Sequence, residues 1–323
     1  MAFRTAEIDD DAVALSVLGG EIARTSPYAG HRCFSPAELQ AIAVRDVAGR
    51  LRDAPRVARV LHERERVAGL AICSALAWDS GYFGMPMARL DFHGVPGLET
   101  SAIAGLLEET LDAAVARHGF RHVCCRVGVD DYAFFNAATA AGFRLVDVQR
   151  VYVARRNRAN TTGSRALFRP RPCRPEDRAA LLDLFAQVRF ETRYTRDGML
   201  PREKTAGMYR QWIAGMIDAP TTDREIRVLE REGRIVAAGA GRYLDFSPQG
   251  IPVRIMTDGI FAGDRGFSGA YVGITRAVVE AGWQQGCVVA ELKVSAGNRP
   301  ANRVLQHLGY ENVAQFYSLH KSF

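Results

Sequence analysis

The stretch Gly263-Asp-Arg-Gly-Phe-Ser-Gly-Ala-Tyr271 joins two segments of unlike periodicity. Before it, Arg254 to Phe261 reads as a strand; after it, Ala270 to Gln285 reads as a helix stopped by Gly286. Three glycines let the backbone approach a ligand closely. The helix behind them directs its unpaired N–H groups and its dipole at the turn, which makes an anion site in principle, and Arg265 adds a cation. A bare strand-to-helix junction would look much the same. The spacing is neither that of a P-loop nor that of a dinucleotide-binding Gly-x-Gly-x-x-Gly turn.

Reading outward, the surrounding segments alternate. Pro175 to Arg189 and Pro201 to Ile217 read as helices, the first with Leu181, Leu182, Leu184, Phe185 and Val188 on its apolar side. Glu225 to Leu229 and Arg234 to Tyr243 read as strands joined at Glu232-Gly233. Beyond Gly286 come a strand from Val288 to Val294, a helix from Asn298 to His307, and a last strand from Val313 to His320. Displaced by 167 residues, the chain matches itself without a gap over about 60 positions. Asp91 falls on Asp258, Ser101 on Ser268, Ala114 on Ala281, Gly119 on Gly286, Val127 on Val294 and Gly142 on Gly309. A period this long means a duplicated domain rather than a solenoid. The expected division is 1–155, a linker 156–168 that lacks periodicity and carries Arg, Asn, Thr and Gly, and 169–323.

The order of elements and the turn together resemble the GNAT acetyltransferase superfamily. That resemblance implies a mixed α/β fold, tandem GNAT-like domains here, and acetyl-CoA or another acyl-CoA as co-substrate. It assigns cofactor contacts to Ile260, Phe261, Arg265, Gly266, Phe267, Ser268, Gly269, Ala270 and Tyr271. A second motif of these proteins, Asn-x-x-Ala-x-x-x-Tyr-x-x-x-Gly-Phe, is matched by Asn298, Ala301 and Gly309-Tyr310, with Asn302 on the same helical face. Its Tyr, the usual acid for the departing thiolate, is here Leu305, and Ala138 in the other half. Tyr271, Tyr310, Tyr317 or His307 is left to supply the proton, Tyr271 and Tyr317 foremost, or else the thiolate leaves unassisted. The N-terminal copy departs further: Glu99 stands where the second half has Gly266, and Asp131 where it has Asn298. A carboxylate facing a pyrophosphate repels it, so that copy is expected to be degenerate and not to bind CoA.

Two further stretches, Leu76 to Leu90 and Arg189 to Asp197 with Tyr209 to Ile213, look like the bacterial dTDP-fucosamine acetyltransferase group. This resemblance implies transfer to an amine of a small acceptor, a nucleotide-linked amino sugar in that group. Arg193, Tyr194 and Arg196 then line the acceptor site, where Arg suits phosphate, with Trp78 and Tyr82 as stacking surfaces. The same residues also read as solvated arginines and core aromatics. A neutral amine must attack the thioester, so a base is needed. Asp258, in the strand before the turn, is the candidate, with Asp245 and Glu291 behind it.

Composition bounds the rest. At 323 residues, 48% hydrophobic and 24% charged, the chain has material for about two folded domains. The charge of +6 is dispersed, which argues against nucleic acid as a partner. No apolar run is long enough for a membrane span and the start has no apolar signal core, so a cytoplasmic protein is expected. The six cysteines lack Cys-x-x-Cys spacing, and no His lies at ligand spacing from them, so reduced thiols and no metal are expected. Oligomeric state stays open, a homodimer included. Two other functions remain in view: the same transfer to an amino acid, antibiotic or protein amine, and a non-catalytic acyl-CoA-binding protein.

Overall fold

The computed structural model describes residues 3–8, 11–156 and 168–323. Apart from Arg156 and Phe168, the expected linker lies outside the described residues. The chain forms two compact units. One comprises Met1–Val148, Arg196–Leu200 and Gln315–Phe323; the other comprises Gln149–Thr195 and Pro201–Ala314.

The first unit contains β1 (Phe3–Glu7), α1 (Asp11–Arg24), α2 (Pro36–Arg52), β2 (Arg56–Glu63), β3 (Arg66–Ala75), α3 (Ala77–Phe83), β4 (Met87–Gly94), α4 (Thr100–His118), β5 (His122–Gly128) and α5 (Tyr132–Ala140). Then β6 (Arg144–Arg155) carries the chain into the second unit. There follow β7 (Arg169–Pro172), α6 (Arg178–Gln187), α7 (Arg193–Arg196), α8 (Arg202–Asp218), β8 (Arg224–Arg231), β9 (Arg234–Asp245), β10 (Arg254–Gly263), α9 (Ala270–Gln284), β11 (Val289–Ser295), α10 (Arg299–His307) and β12 (Glu311–Ser322).

The duplication is visible in the strand ladders. In the first unit β1 to β4 pair antiparallel in sequence order and β4 runs parallel to β5. In the second, β7 to β10 pair antiparallel in order and β10 runs parallel to β11. The last strand of each half is exchanged. β12 completes the first sheet beside β5, with Ser322 opposite His122, and β6 completes the second beside β11, with Val289 opposite Arg155. The units therefore differ from a cut at the linker: residues 149–155 belong to the second unit and 315–323 to the first. Hydrophobic alternation cannot reveal this, because a strand with one apolar face fits either sheet.

Local signals explain the helix ends. Ser35 and Glu38 form a reciprocal capping box before Pro36 at the start of α2. Gly119 and Gly286 take positive φ just past the helices that they end. Alternate residues of each sheet feed separate cores. In the second unit Phe261, Ala290 and Leu292 pack under α9, whereas Ala238, Ala240, Ile260 and Ala262 pack under α6 and α8. No disulfide joins the six cysteines. Among the described residues no helix is long and apolar enough to cross a membrane.

Candidate active site

The second sheet opens at its centre. β10 and β11 are paired only at Ile255 with Val289 and Met256 with Ala290, although β10 continues to Gly263 and β11 to Ser295. A bulge in β10 marks the parting. Thr257 pairs Arg242 and Ile260 pairs Ala240, so Asp258 and Gly259 together face Gly241. Asp258 has φ of 52°, the left-handed region that Asp enters more readily than most residues. At Gly259 a Cβ would collide with Leu292 and lie 2.7 Å from Phe261. Gly259 thus lets the strand bend away from its neighbour.

The turn Gly263 to Gly269 follows at the end of this strand. Gly269 takes φ of 83° as the N-cap of α9, and the side chain it lacks would reach no closer than 3.8 Å to Phe168. Conformation, not crowding, requires glycine there. Gly266 and Ser268 are exposed, and Ala270 is buried as the first helical residue. The first amides of α9 have no carbonyl one turn back within the helix and point into the turn. Asp264 stiffens it by accepting from the Gly266 amide at 2.8 Å and from Arg234 at 2.6 Å. Arg265 is exposed.

On the α6/α8 face of the opening lies a charged cluster. Thr257 Oγ1 donates to Glu291 Oε1 at 2.5 Å, and Lys293 Nζ lies 2.8 Å from the same oxygen. Lys293 is also 3.8 Å from Asp258 Oδ1. The Glu291 side chain is fully buried, whereas that of Asp258 is 41% exposed and free to meet a solute. Glu291 and Lys293 share a face of β11 by the two-residue period. Lys293 and Thr257 carry no motif, and they enter the cluster only through this register.

On the opposite face the aromatic candidates gather. The Tyr271 ring meets Phe261 edge-on at 6.2 Å, and both pack with Tyr310 and Leu305. Burial pushes the Tyr271 hydroxyl up to about 12 and the Tyr310 hydroxyl higher still. The Tyr310 hydroxyl is buried and has no hydrogen-bond partner among the described residues. Leu305 is a core residue, 1% exposed.

Other predicted residues sit elsewhere. Asn298 caps α10 by accepting from the Ala301 amide at 3.3 Å. Buried Asn302 donates to the carbonyls of Ser295 and Asn298 and accepts from Tyr152 at 2.9 Å. Asn302 thus ties α10 to β11 and β6 while Asn298 caps the helix, and Ala301 is buried beside them. Tyr317 belongs to the first unit, where its ring packs on Phe135 at 4.6 Å. Trp78 and Tyr82 also lie in the first unit, stacked at 5.3 Å with planes 4° apart. Arg193 stacks on Tyr194 in the second unit, its guanidinium 4.6 Å from the ring centre. Arg196 lies in the first, 3.7 Å from the buried carboxylate of Asp147.

In the first unit the corresponding strand carries no bulge, although its parallel pairing with β5 also stops before the strands end, at Leu90 with Cys125. β4 runs unbroken against β3 from Ala88 to Gly94 and has four parallel pairs with β5. Phe92 replaces Gly259 in the repeat and packs on Phe134 at 5.1 Å. Asp91, counterpart of Asp258, is paired to Arg89 at 2.9 Å and Arg50 at 3.3 Å. Burial pushes its carboxyl upward, but these two arginines hold it below the usual range.

Among solved structures the chain is similar, over 99% of its length, to a tandem GNAT protein from the clavulanic acid biosynthesis pathway. The match covers 98% of that protein at 16% identity, with a TM-score of 0.58. It is similar over 99% of its length to a GCN5-related N-acetyltransferase from Sphaerobacter thermophilus, covering 95% of it at 15% identity and a TM-score of 0.63. A third similarity is to a glucosamine N-acetyltransferase region of a fungal multi-domain β-N-acetylglucosaminidase. It covers 99% of this chain but 38% of that one, at 11% identity and a TM-score of 0.60. No family model and no curated protein matches the sequence. The chain has the mixed α/β fold of the GNAT N-acetyltransferases in its tandem form.

Proposed function

We propose that the protein is an acyl-CoA-dependent N-acyltransferase, with acetyl-CoA as donor, a small amine as acceptor, and its acyl site in the second unit. The observation that carries this reading is the opening of β10 from β11 at the Asp258–Gly259 bulge, directly before a glycine turn at a helix N-terminus. An extended thioester arm fits between parted strands, where backbone amides that no longer serve the ladder can meet its carbonyl. The turn offers amides and the helix dipole to a pyrophosphate. The Tyr310 hydroxyl, which has no hydrogen-bond partner among the described residues, is a further donor.

The donor supplies an activated acyl group on sulfur. A neutral amine attacks the acyl carbon, a C–N bond replaces the C–S bond, and the amine loses one proton while the thiolate gains one. Asp258 is the base, because it is the carboxylate at the opening with an exposed side chain. Lys293, itself anchored on Glu291, faces it from β11. The acid is a hydroxyl of the Tyr271–Tyr310 pair, which burial keeps protonated until transfer. The first unit, with its unbroken β4, acts as a scaffold that does not bind CoA.

The finer acceptor assignment is an amino sugar, nucleotide-linked as in the dTDP-fucosamine acetyltransferases that the sequence resembles. The glucosamine N-acetyltransferase named in one similar structure points the same way, and Arg193 and Tyr194 are suited to a sugar phosphate. A non-catalytic acyl-CoA-binding role is the second reading, favoured by Leu305 at the usual acid position. Calorimetric titration with acetyl-CoA, then thiol release across amino sugars with and without a nucleotide, amino acids and peptide amines, separates these readings. Binding with turnover supports the enzyme, and binding without turnover on any amine supports the second reading. Absence of binding removes the acyl-CoA assignment.

A further inference from the structure

We infer that the first unit contains a buried site for a divalent transition metal of the zinc class, formed by His122 Nε2, Asp197 Oδ2 and His320 Nδ1. These three side chains are 1%, 4% and 3% exposed. Their named atoms converge. His122 Nε2 lies 3.3 Å from His320 Nδ1 and 3.4 Å from Asp197 Oδ2, and His320 Nδ1 lies 2.6 Å from Asp197 Oδ2. Zinc bonds to imidazole nitrogen and carboxylate oxygen at about 2.0–2.1 Å, so ligand atoms of a tetrahedral site stand roughly 3.3–3.4 Å apart. Two of the three edges already have that length. Both exceed the usual span of an N–H hydrogen bond. The third is a hydrogen bond that has to open by less than about 1 Å to admit an ion.

The surroundings aim these atoms. His122 Nδ1 contacts Ser322 Oγ at 2.9 Å, so the other ring nitrogen faces the cluster. Asp197 Oδ1 accepts the Met199 amide at 2.9 Å, which turns Oδ2 toward the histidines. Outer hydrogen bonds of this kind fix ligand orientation in metal sites. Soft–hard balance also fits, since two imidazoles and a carboxylate suit zinc better than calcium or magnesium. Three protein ligands leave the fourth tetrahedral position to a water molecule, and burial shields that position from solutes. The ion would tie the start of β5, the end of β12 and the short segment Arg196–Leu200 together. Spacing rules miss the site because its ligands are 123 and 198 residues apart in sequence.

The test uses the untagged full chain, stripped with a chelator and titrated with Co2+ and then Zn2+. The expected result is one Co2+ per chain with the intense visible absorption of a four-coordinate site, displaced by one Zn2+, and a higher melting temperature with either ion. His122→Gln and His320→Gln each weaken binding by at least about 100-fold, and Ser322→Ala, which keeps all three ligands, by about 10-fold. The alanine variant keeps the test readable if the histidine variants fail to fold. A folded, stripped wild type that shows only the weak spectrum of aquated Co2+ and no thermal shift overturns the site. So does unchanged Co2+ absorption in His320→Gln.

Discussion

Gly269→Asp separates the role of the turn in binding from its role in folding. The residue has φ of 83°, and its added Cβ would meet only Phe168 at 3.8 Å. The cost to folding is therefore conformational, about 1–2 kcal/mol for a non-glycine residue in the left-handed region. For a unit of this size that lowers the melting temperature by roughly 2–8 °C. The cost to binding is electrostatic. A carboxylate about 5 Å from a pyrophosphate charge, at an effective dielectric near 20, repels it by about 3 kcal/mol, which weakens binding more than about 100-fold. Acetyl-CoA at about 100 times its wild-type Kd stabilises the wild type by about 2.7 kcal/mol, a rise of roughly 5–10 °C. The same concentration raises the variant by only about 1 °C. Gly269→Asn carries the same backbone strain without the charge and keeps most of the shift. Differential scanning fluorimetry with and without acetyl-CoA reads all three proteins. An equal ligand shift in wild type and Gly269→Asp would refute the placement of the phosphates at this turn.

Asp258→Asn removes the proposed base but keeps its size and its tolerance of positive φ. The expected loss is about 10²–10⁴-fold in kcat at neutral pH, with donor affinity little changed; a kcat within a few-fold of wild type transfers the role to another group. Tyr310→Phe deletes a buried hydroxyl that has no partner among the described residues, so chemical denaturation should show a gain of about 1 kcal/mol, while a fall in kcat would identify Tyr310 rather than Tyr271 as the acid. Burial lowers the His93 pKa to about 4, although Asp91 opposes the shift. The unfolded chain therefore binds the proton first as pH falls. Stability is fully present above about pH 6.5 and declines toward pH 4 by about 3 kcal/mol. His93→Gln should flatten that part of a stability-against-pH curve, and an unchanged slope would assign it to other groups.

Much of the second unit was legible in its sequence. The Glu232-Gly233 turn, the glycines ending α9 and preceding it, and the apolar stripe of α6 are local signals, and each acts within a few residues. The duplication was legible too, because equal folds require equal hydrophobic patterns at equal spacing. Asp258 and the turn could be named because they follow one another along the chain. Lys293 and Thr257 could not, since a lysine in a strand and a threonine beside a bulge have no distinctive pattern. They meet only when β10 and β11 are placed side by side and then part.

The elements of the second unit, their order and the glycines that permit the turn depend on short-range sterics and periodicity, and so can be read from the residues alone. Tertiary structure alone decided which sheet each final strand joined, because β6 and β12 carry compatible apolar faces and only the full set of neighbours selects between them. That choice put Tyr317 in the first unit and brought His320 to His122 and Asp197. It also decided that β10 is broken by a bulge where β4 keeps an unbroken register with its antiparallel neighbour. The repeat aligns Phe92 with Gly259, but only packing shows that a phenylalanine on Phe134 leaves β4 straight where a glycine against Leu292 lets β10 bend.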